Sequence, residues 1–92
     1  MRGNRAVIVR LPSPLRSYTG EHTEVEAEGQ TVDEVLWDLD RRFPGMRFRV
    51  VDEHGRLRRH IKLYIGNRAS EDLATHLDGS EVLQLVAALS GG

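Results

Sequence analysis

The stretch Glu81-Val-Leu-Gln-Leu-Val-Ala-Ala-Leu-Ser-Gly-Gly92 decides how the chain is read. Val82 to Leu89 is almost continuously apolar, which suits a strand buried in the middle of a sheet, and Val82 to Val86 reads as the last strand. The run continues into Gly91-Gly92. Glycine has no Cβ, so a diglycine can enter a narrow channel and bring its backbone close to another protein's reactive centre. The expectation is that the Gly92 carboxylate is a free chain terminus and is itself the chemical group. Two glycines alone read more readily as a frayed end; the residues before them shift that balance.

Working outward, Ala6-Val-Ile-Val-Arg-Leu11 is a short apolar run that predicts a buried strand, ended by Pro12 and Pro14, which offer the ladder no donor. Ser17 to Glu21, with Gly20, predicts a turn. His22 to Glu28 alternates, with Thr23, Val25 and Ala27 on one face and three glutamates on the other, as in a half-buried strand. The two strands read as a hairpin with a long loop. Thr31-Val-Asp-Glu34 matches a capping box, and Val32, Val35, Leu36, Leu39 and Phe43 follow at helical spacing until Pro44-Gly45 stops the helix. Trp37 lies beside that stripe, where it is expected to seal the edge rather than serve a cofactor. Met46 to Val51 fits either a strand or a short helical turn. Ile61-Lys-Leu-Tyr-Ile65 alternates as a strand before the Gly66-Asn67 turn, and Asp72 to Leu77 suggests one short helical turn. One amphipathic helix on one face of a small sheet defines a two-layer α+β domain.

The chain has 92 residues, enough for a single domain with a modest core. It has no cysteine, which excludes a disulfide framework, a thiolate metal site and a cysteine nucleophile, and fits a reducing cytoplasm. No apolar run reaches the length of a membrane span, and Ala6 to Val9 is too short for a signal-peptide core. Net charge is −1, but it is segregated. Residues 1–40 hold four arginines against eight acids, 41–68 hold nine bases against two acids, and 69–92 hold four acids and no base. The basic block reads as a solvated face rather than a nucleic-acid site. His22, His54, His60 and His76 share no metal-ligand spacing, the glycines form no phosphate loop, and Ser13, Ser17 and Ser70 lack a nucleophile context. The chain is not expected to be an enzyme.

This order, ending in a strand and a diglycine, resembles the β-grasp (ubiquitin-like) fold, and more narrowly the ThiS/MoaD-type sulfur-carrier family. The residues that carry the resemblance run from Val7-Ile-Val-Arg-Leu-Pro-Ser-Pro-Leu-Arg16 and Tyr18-Thr-Gly20 through Gly29-Gln-Thr-Val-Asp-Glu-Val-Leu36, Phe43-Pro-Gly45, Leu57 and Ile61-Lys-Leu-Tyr-Ile-Gly-Asn67. They close with Asp78-Gly-Ser-Glu-Val82 and Leu89-Ser-Gly-Gly92, the two most specific stretches. The Leu15-Arg16, Tyr18-Thr-Gly20 and Asp52 to His60 segments look closest to the branch that hands sulfur to a pyridoxal-phosphate cysteine synthase. Many members carry a proline shortly before the diglycine, where this chain reads Val86-Ala-Ala-Leu89.

The resemblance implies an α+β fold with a mixed sheet of four to five strands on one main helix. Residues 1–88 would form the β-grasp domain and 89–92 a flexible tail, with Leu83 and Leu85 expected inward. It also implies the chemistry. An E1-like enzyme adenylates Gly92 with ATP, a sulfur donor replaces AMP, and the resulting thiocarboxylate delivers sulfur inside a second enzyme. Gly92 carries the acyl group, Gly91 keeps the channel narrow, and Ser90 and Leu89 line the tail. Val86 on the outer sheet face is the candidate for partner docking, core burial being its alternative. The chain itself would bind no metal or cofactor, and a metalloprotease is a further implied partner. A cytoplasmic monomer is expected, with no membrane or nucleic-acid partner. Competing readings are the small subunit of molybdopterin synthase, a modifier conjugated through Gly92, and a plain binding module with an inert tail.

Overall fold

The structure, a computed structural model, describes residues 6–79 and 81–88. Five strands form one mixed sheet in the order β2-β1-β5-β3-β4: β1 Ala6–Arg10, β2 Glu24–Glu28, β3 Ile61–Ile65, β4 Arg68–Ser70 and β5 Val82–Ala87. Helix α1 spans Val32–Arg42 and a short α2 spans Met46–Val50. β5 is central, parallel to β1 and antiparallel to β3, as its apolar run predicts. With α1 across one face, this is the β-grasp arrangement.

Alternation sorts the side chains by face. Val25, Val9, Leu83 and Ile65 lie in one row across the sheet, and Leu85 lies opposite Leu63. The strand residues of these inner rows, joined by Val7, Ala27 and Ile61, are buried except for the half-buried Val25, and α1 covers them with Val32, Val35, Leu36 and Leu39. Phe43 and Ala87 pack half-buried against this core. Leu83 and Leu85 therefore point inward, as expected.

The loop between β1 and β2 is more ordered than a turn. Ser13–Thr19 winds into a 3-10 helix that buries Leu15 and Thr19, and Gly20 closes it in the left-handed conformation, φ 69°. The buried Thr19 hydroxyl bonds the Arg16 and His22 carbonyls, at 3.1 and 3.0 Å. Thr23, expected inward, is exposed beyond the strand. The ladder reaches only the Leu11 N–H to Thr23 carbonyl bond, 2.9 Å, because Pro12 has no N–H to continue it.

At the start of α1, the Thr31 hydroxyl accepts the Glu34 N–H at 3.1 Å, as the capping box predicts. The Glu34 carboxylate, however, reaches the N–H of Gln30, at 2.8 Å, one residue before the cap. The first helical N–H groups are claimed by another segment: Val32 donates to the Thr75 carbonyl and Asp33 to that of Leu73, at 3.1 and 2.9 Å. That explains why Asp72 to Leu77 forms a single turn closed by Thr75 N–H to the Asp72 carbonyl, 3.2 Å, and no helix. Gly29 sits tightly under this joint; a Cβ there would lie 2.7 Å from the Val35 nitrogen.

Asp38 locks α1 to the sheet. Its carboxylate is buried, accepts the Glu28 N–H at 2.9 Å, and pairs with Arg41 and Arg42. Burial alone would raise its pKa, but the Glu28 N–H and the two guanidinium groups outweigh that and hold it below the ordinary carboxylate value. Arg42 also reaches the Glu26 carbonyl, covering part of the β2 edge.

The ambiguous Met46 segment is helical. Met46 and Val50, four apart, share the buried face, and Asp40 accepts the Gly45 and Arg47 N–H groups, both at 3.1 Å. Trp37 seals no core edge: it is 51% exposed and serves as a platform for the Arg47 guanidinium, 4.0 Å above its ring. Arg47 also reaches Asp33, at 2.7 Å.

Candidate functional site: the exit of the C-terminal strand

Leu89, Ser90, Gly91 and Gly92, the tail residues singled out in the sequence, lie outside the described residues, as does the boundary between domain and tail. The described structure fixes where that segment departs. β5 pairs with β3 up to Ala87 opposite Ile61, and the Ala88 N–H then donates to the His60 carbonyl at 2.7 Å. The chain is thus held to the sheet up to the residue before Leu89.

Val86 is half-buried on the outer face, opposite Lys62. It is not part of the buried core. That face is mixed. Glu24, Arg10, Gln84 and Tyr64 form one row across it, with the Arg10 Nε donating to Glu24 at 2.9 Å, and Ile8 lies beside Val82 in the next row.

Two clefts flank Ala87. One, of about 300 Å³, is lined by Pro12, Pro14, Phe48, Arg49, Arg58 and His60 among others. The second, of about 690 Å³, opens on the outer face between Arg10, Pro12, Arg16, Gln84 and Val86. Phe48 is 57% exposed, and the Arg58 guanidinium stands 4.4 Å over its ring while its Nε bonds the Phe48 carbonyl at 2.6 Å. Arg49, Arg58 and Lys62 come from α2, from the segment after it, and from β3. The sequence shows a basic block over 41–68 and reads it as a solvated face; the fold brings part of it to the exit of β5. The signal was the charge segregation, but one-dimensional order does not say which end of the sheet receives it.

Elsewhere in that block, the Asp52 carboxylate accepts the Arg56 and His54 N–H groups, at 3.1 and 2.8 Å. The Arg56 bond, then that of His54 and the charges of His54 and Arg58, hold its pKa below the ordinary value against a smaller opposing effect of desolvation. Among the described residues, no group of three His, Cys, Asp or Glu side chains is placed to hold a metal ion, and no helix is long and apolar enough to cross a membrane.

The chain belongs to the ThiS family, whose model matches residues 9–92. The sulfur carrier protein CysO of Mycobacterium tuberculosis is 32% identical over 91 residues, spanning 94% of this chain and 98% of the relative. The crystal structure of the Amycolatopsis orientalis BexX/CysO complex contains a chain that is 34% identical, with a TM-score of 0.85 over 95% of this chain and 100% of that one. The small archaeal modifier protein SAMP1 of Methanosarcina acetivorans is 26% identical, with a TM-score of 0.77 over 99% and 100% of the two chains.

Proposed function

We propose that this chain is a sulfur carrier that works through Gly92. The observation that supports this most is the central strand β5, which stays bonded to the sheet through Ala88 and leads directly into Leu89-Ser-Gly-Gly92. Similarity to CysO along nearly the whole chain supports it as well.

A carboxylate repels nucleophiles and is a poor acyl donor. In the proposed cycle a partner enzyme uses ATP: a Gly92 carboxylate oxygen attacks the α-phosphorus, pyrophosphate leaves, and an acyl-adenylate forms. A sulfide-level nucleophile then attacks the acyl carbon and AMP departs, leaving a thiocarboxylate. That sulfur is delivered to an acceptor in the making of cysteine or a related metabolite, with a pyridoxal-phosphate cysteine synthase as the proposed acceptor enzyme. The catalytic acids and bases belong to these partners; Gly92 supplies the acyl group, Gly91 the narrow approach, and Leu89 and Ser90 the tail's contacts.

The test is the intact mass of the protein after incubation with ATP, the E1-like enzyme of the same organism and a sulfide source. Replacement of one oxygen by sulfur, lost on deletion of Gly92, is the expected result; no change with an enzyme active on its own carrier would overturn the reading. The match to SAMP1 favours a second reading, in which a lysine amine attacks the same acyl-adenylate. Conjugate ladders that require Gly92 and persist when proteolysis is blocked would identify it.

A further inference from the structure

Resting on the carrier reading, we propose that the basic collar around the β5 exit is the docking surface for the activating enzyme, and that it seats on an acidic rim around that enzyme's channel.

The first argument is reach. Gly92 is four residues past Ala88. Fully extended, four residues span about 14 Å. An enzyme acting on Gly92 must therefore bring its channel mouth against the residues that surround Ala88. Those residues are set by the fold: His60 holds the Ala88 N–H, and Arg49, Arg58 and Phe48 line the cleft beside Ala87. Arg16 lines the cleft on the other side, and Lys62 stands opposite Val86.

The second argument is charge. Of the residues lining the two clefts, the single acid is Glu24, which is held by Arg10. Asp52, whose nearby charge Arg58 feels, has its carboxylate occupied by the His54 and Arg56 N–H groups. Arg49 and Lys62 are exposed and have no ion pair among the described residues. A surface on which cations predominate and the one lining acid is already paired attracts the opposite sign and speeds encounter. A protein rim fits better than a nucleic acid. The exposed Phe48 ring has one face taken by Arg58, so it is a poor platform for a base.

The test is the steady-state kinetics of pyrophosphate release by the E1-like enzyme of the same organism, with the full-length carrier as the varied substrate. Arg49→Glu and Lys62→Glu should each raise KM about ten-fold with kcat within about two-fold of wild type, and wild-type kcat/KM should fall steeply with added salt. Arg68→Glu makes the same charge change at the other end of the sheet, where β3 turns into β4, and should leave both constants unchanged. Circular dichroism and thermal melting of each variant exclude misfolding as the cause. If the wild type is activated and the two collar variants match it, the docking proposal fails while the carrier reading stands. A fall in kcat at unchanged KM also overturns it. RNA binding by the wild type, lost in both variants whose activation is normal, would assign the collar to nucleic acid instead. If the wild type itself releases no pyrophosphate with an enzyme active on its own carrier, the carrier reading and the docking proposal fall together.

Discussion

The two faces of the sheet are built from alternate residues of the same strands, yet they are made differently. On the inner face Val7, Val9, Leu63, Leu83 and Leu85 are fully or almost fully buried under α1. On the outer face Val82, Gln84 and Val86 alternate with them along β5 and stay partly open, beside Ile8, Lys62 and Tyr64. Burial stabilises in proportion to the apolar area removed from water, so the inner face carries the fold. The outer face contributes less to the fold and is free to be chosen for contact. Lesions on the two faces should therefore separate stability from function.

The sharpest separation comes from Leu85→Ala. Leu85 is buried opposite Leu63 in the central strand, and its truncation should cost about 2–5 kcal/mol. That is a large part of the roughly 5–15 kcal/mol available to a typical domain. Urea denaturation should show a much lower midpoint, and an unshifted midpoint would break the comparison. Gly29→Ala should come next. The added Cβ would meet the backbone of Glu34 and Val35 at 2.7–2.9 Å, where nothing flexible can yield. The expected loss is about 1–3 kcal/mol, from displacement of α1 off the inner face. A neutral result would mean that the helix start shifts freely.

Asp38 offers a pH handle on the same helix. Its folded pKa lies below the ordinary value of 3.8, so the unfolded chain binds the proton more tightly. The stabilisation is present in full above about pH 4 and is lost as pH falls through the lower, folded pKa. Arg41 and Arg42 are largely or partly exposed, so most of the effect belongs to the Glu28 N–H. Asp38→Asn keeps an acceptor but loses the charge, and should cost about 1 kcal/mol at neutral pH. Thermal melting from pH 7 to pH 2 should show the two proteins converging at the acid end. Curves that stay parallel would show that Asp38 is not the carboxylate responsible.

Much of this was legible because local patterns and tertiary demands agree. The β1 run, the Thr31 cap, the stripe from Val32 to Phe43 and the alternation of Ile61 to Ile65 each report a face through their period. The misses share another cause. β4, Arg68-Ala-Ser70, has no apolar period, since its place at the sheet edge comes from the Gly66-Asn67 turn that folds it back on β3. The segment 72–77 is shaped by the orphan N–H groups of α1, which lie some forty residues earlier. Trp37 was misplaced for the same reason, because Arg47 from the following helix supplies its partner. At the candidate site, alternation with the inward Leu83 and Leu85 puts Val86 on the outer face, and the pairing of Val86 with Lys62 agrees. The collar joins residues from three segments, and no spacing along the chain announces it.

The smallest expected effect on stability is also the most telling about function. Val86→Thr preserves shape and β-branching on a half-buried outer position, so the folding free energy should change by less than about 0.5 kcal/mol. If Val86 contributes to docking, the hydroxyl puts a polar group into an apolar contact. KM for tail activation should then rise about five-fold, corresponding to the roughly 1 kcal/mol that separates contributing interface side chains from neutral ones. Leu85→Ala should do the reverse, losing stability while its remaining folded fraction is activated normally. The adjacent positions thus form a pair of controls for each other. A Val86→Thr protein with wild-type KM would leave docking to the charged collar alone, and a large loss of stability would place Val86 with the inner face after all.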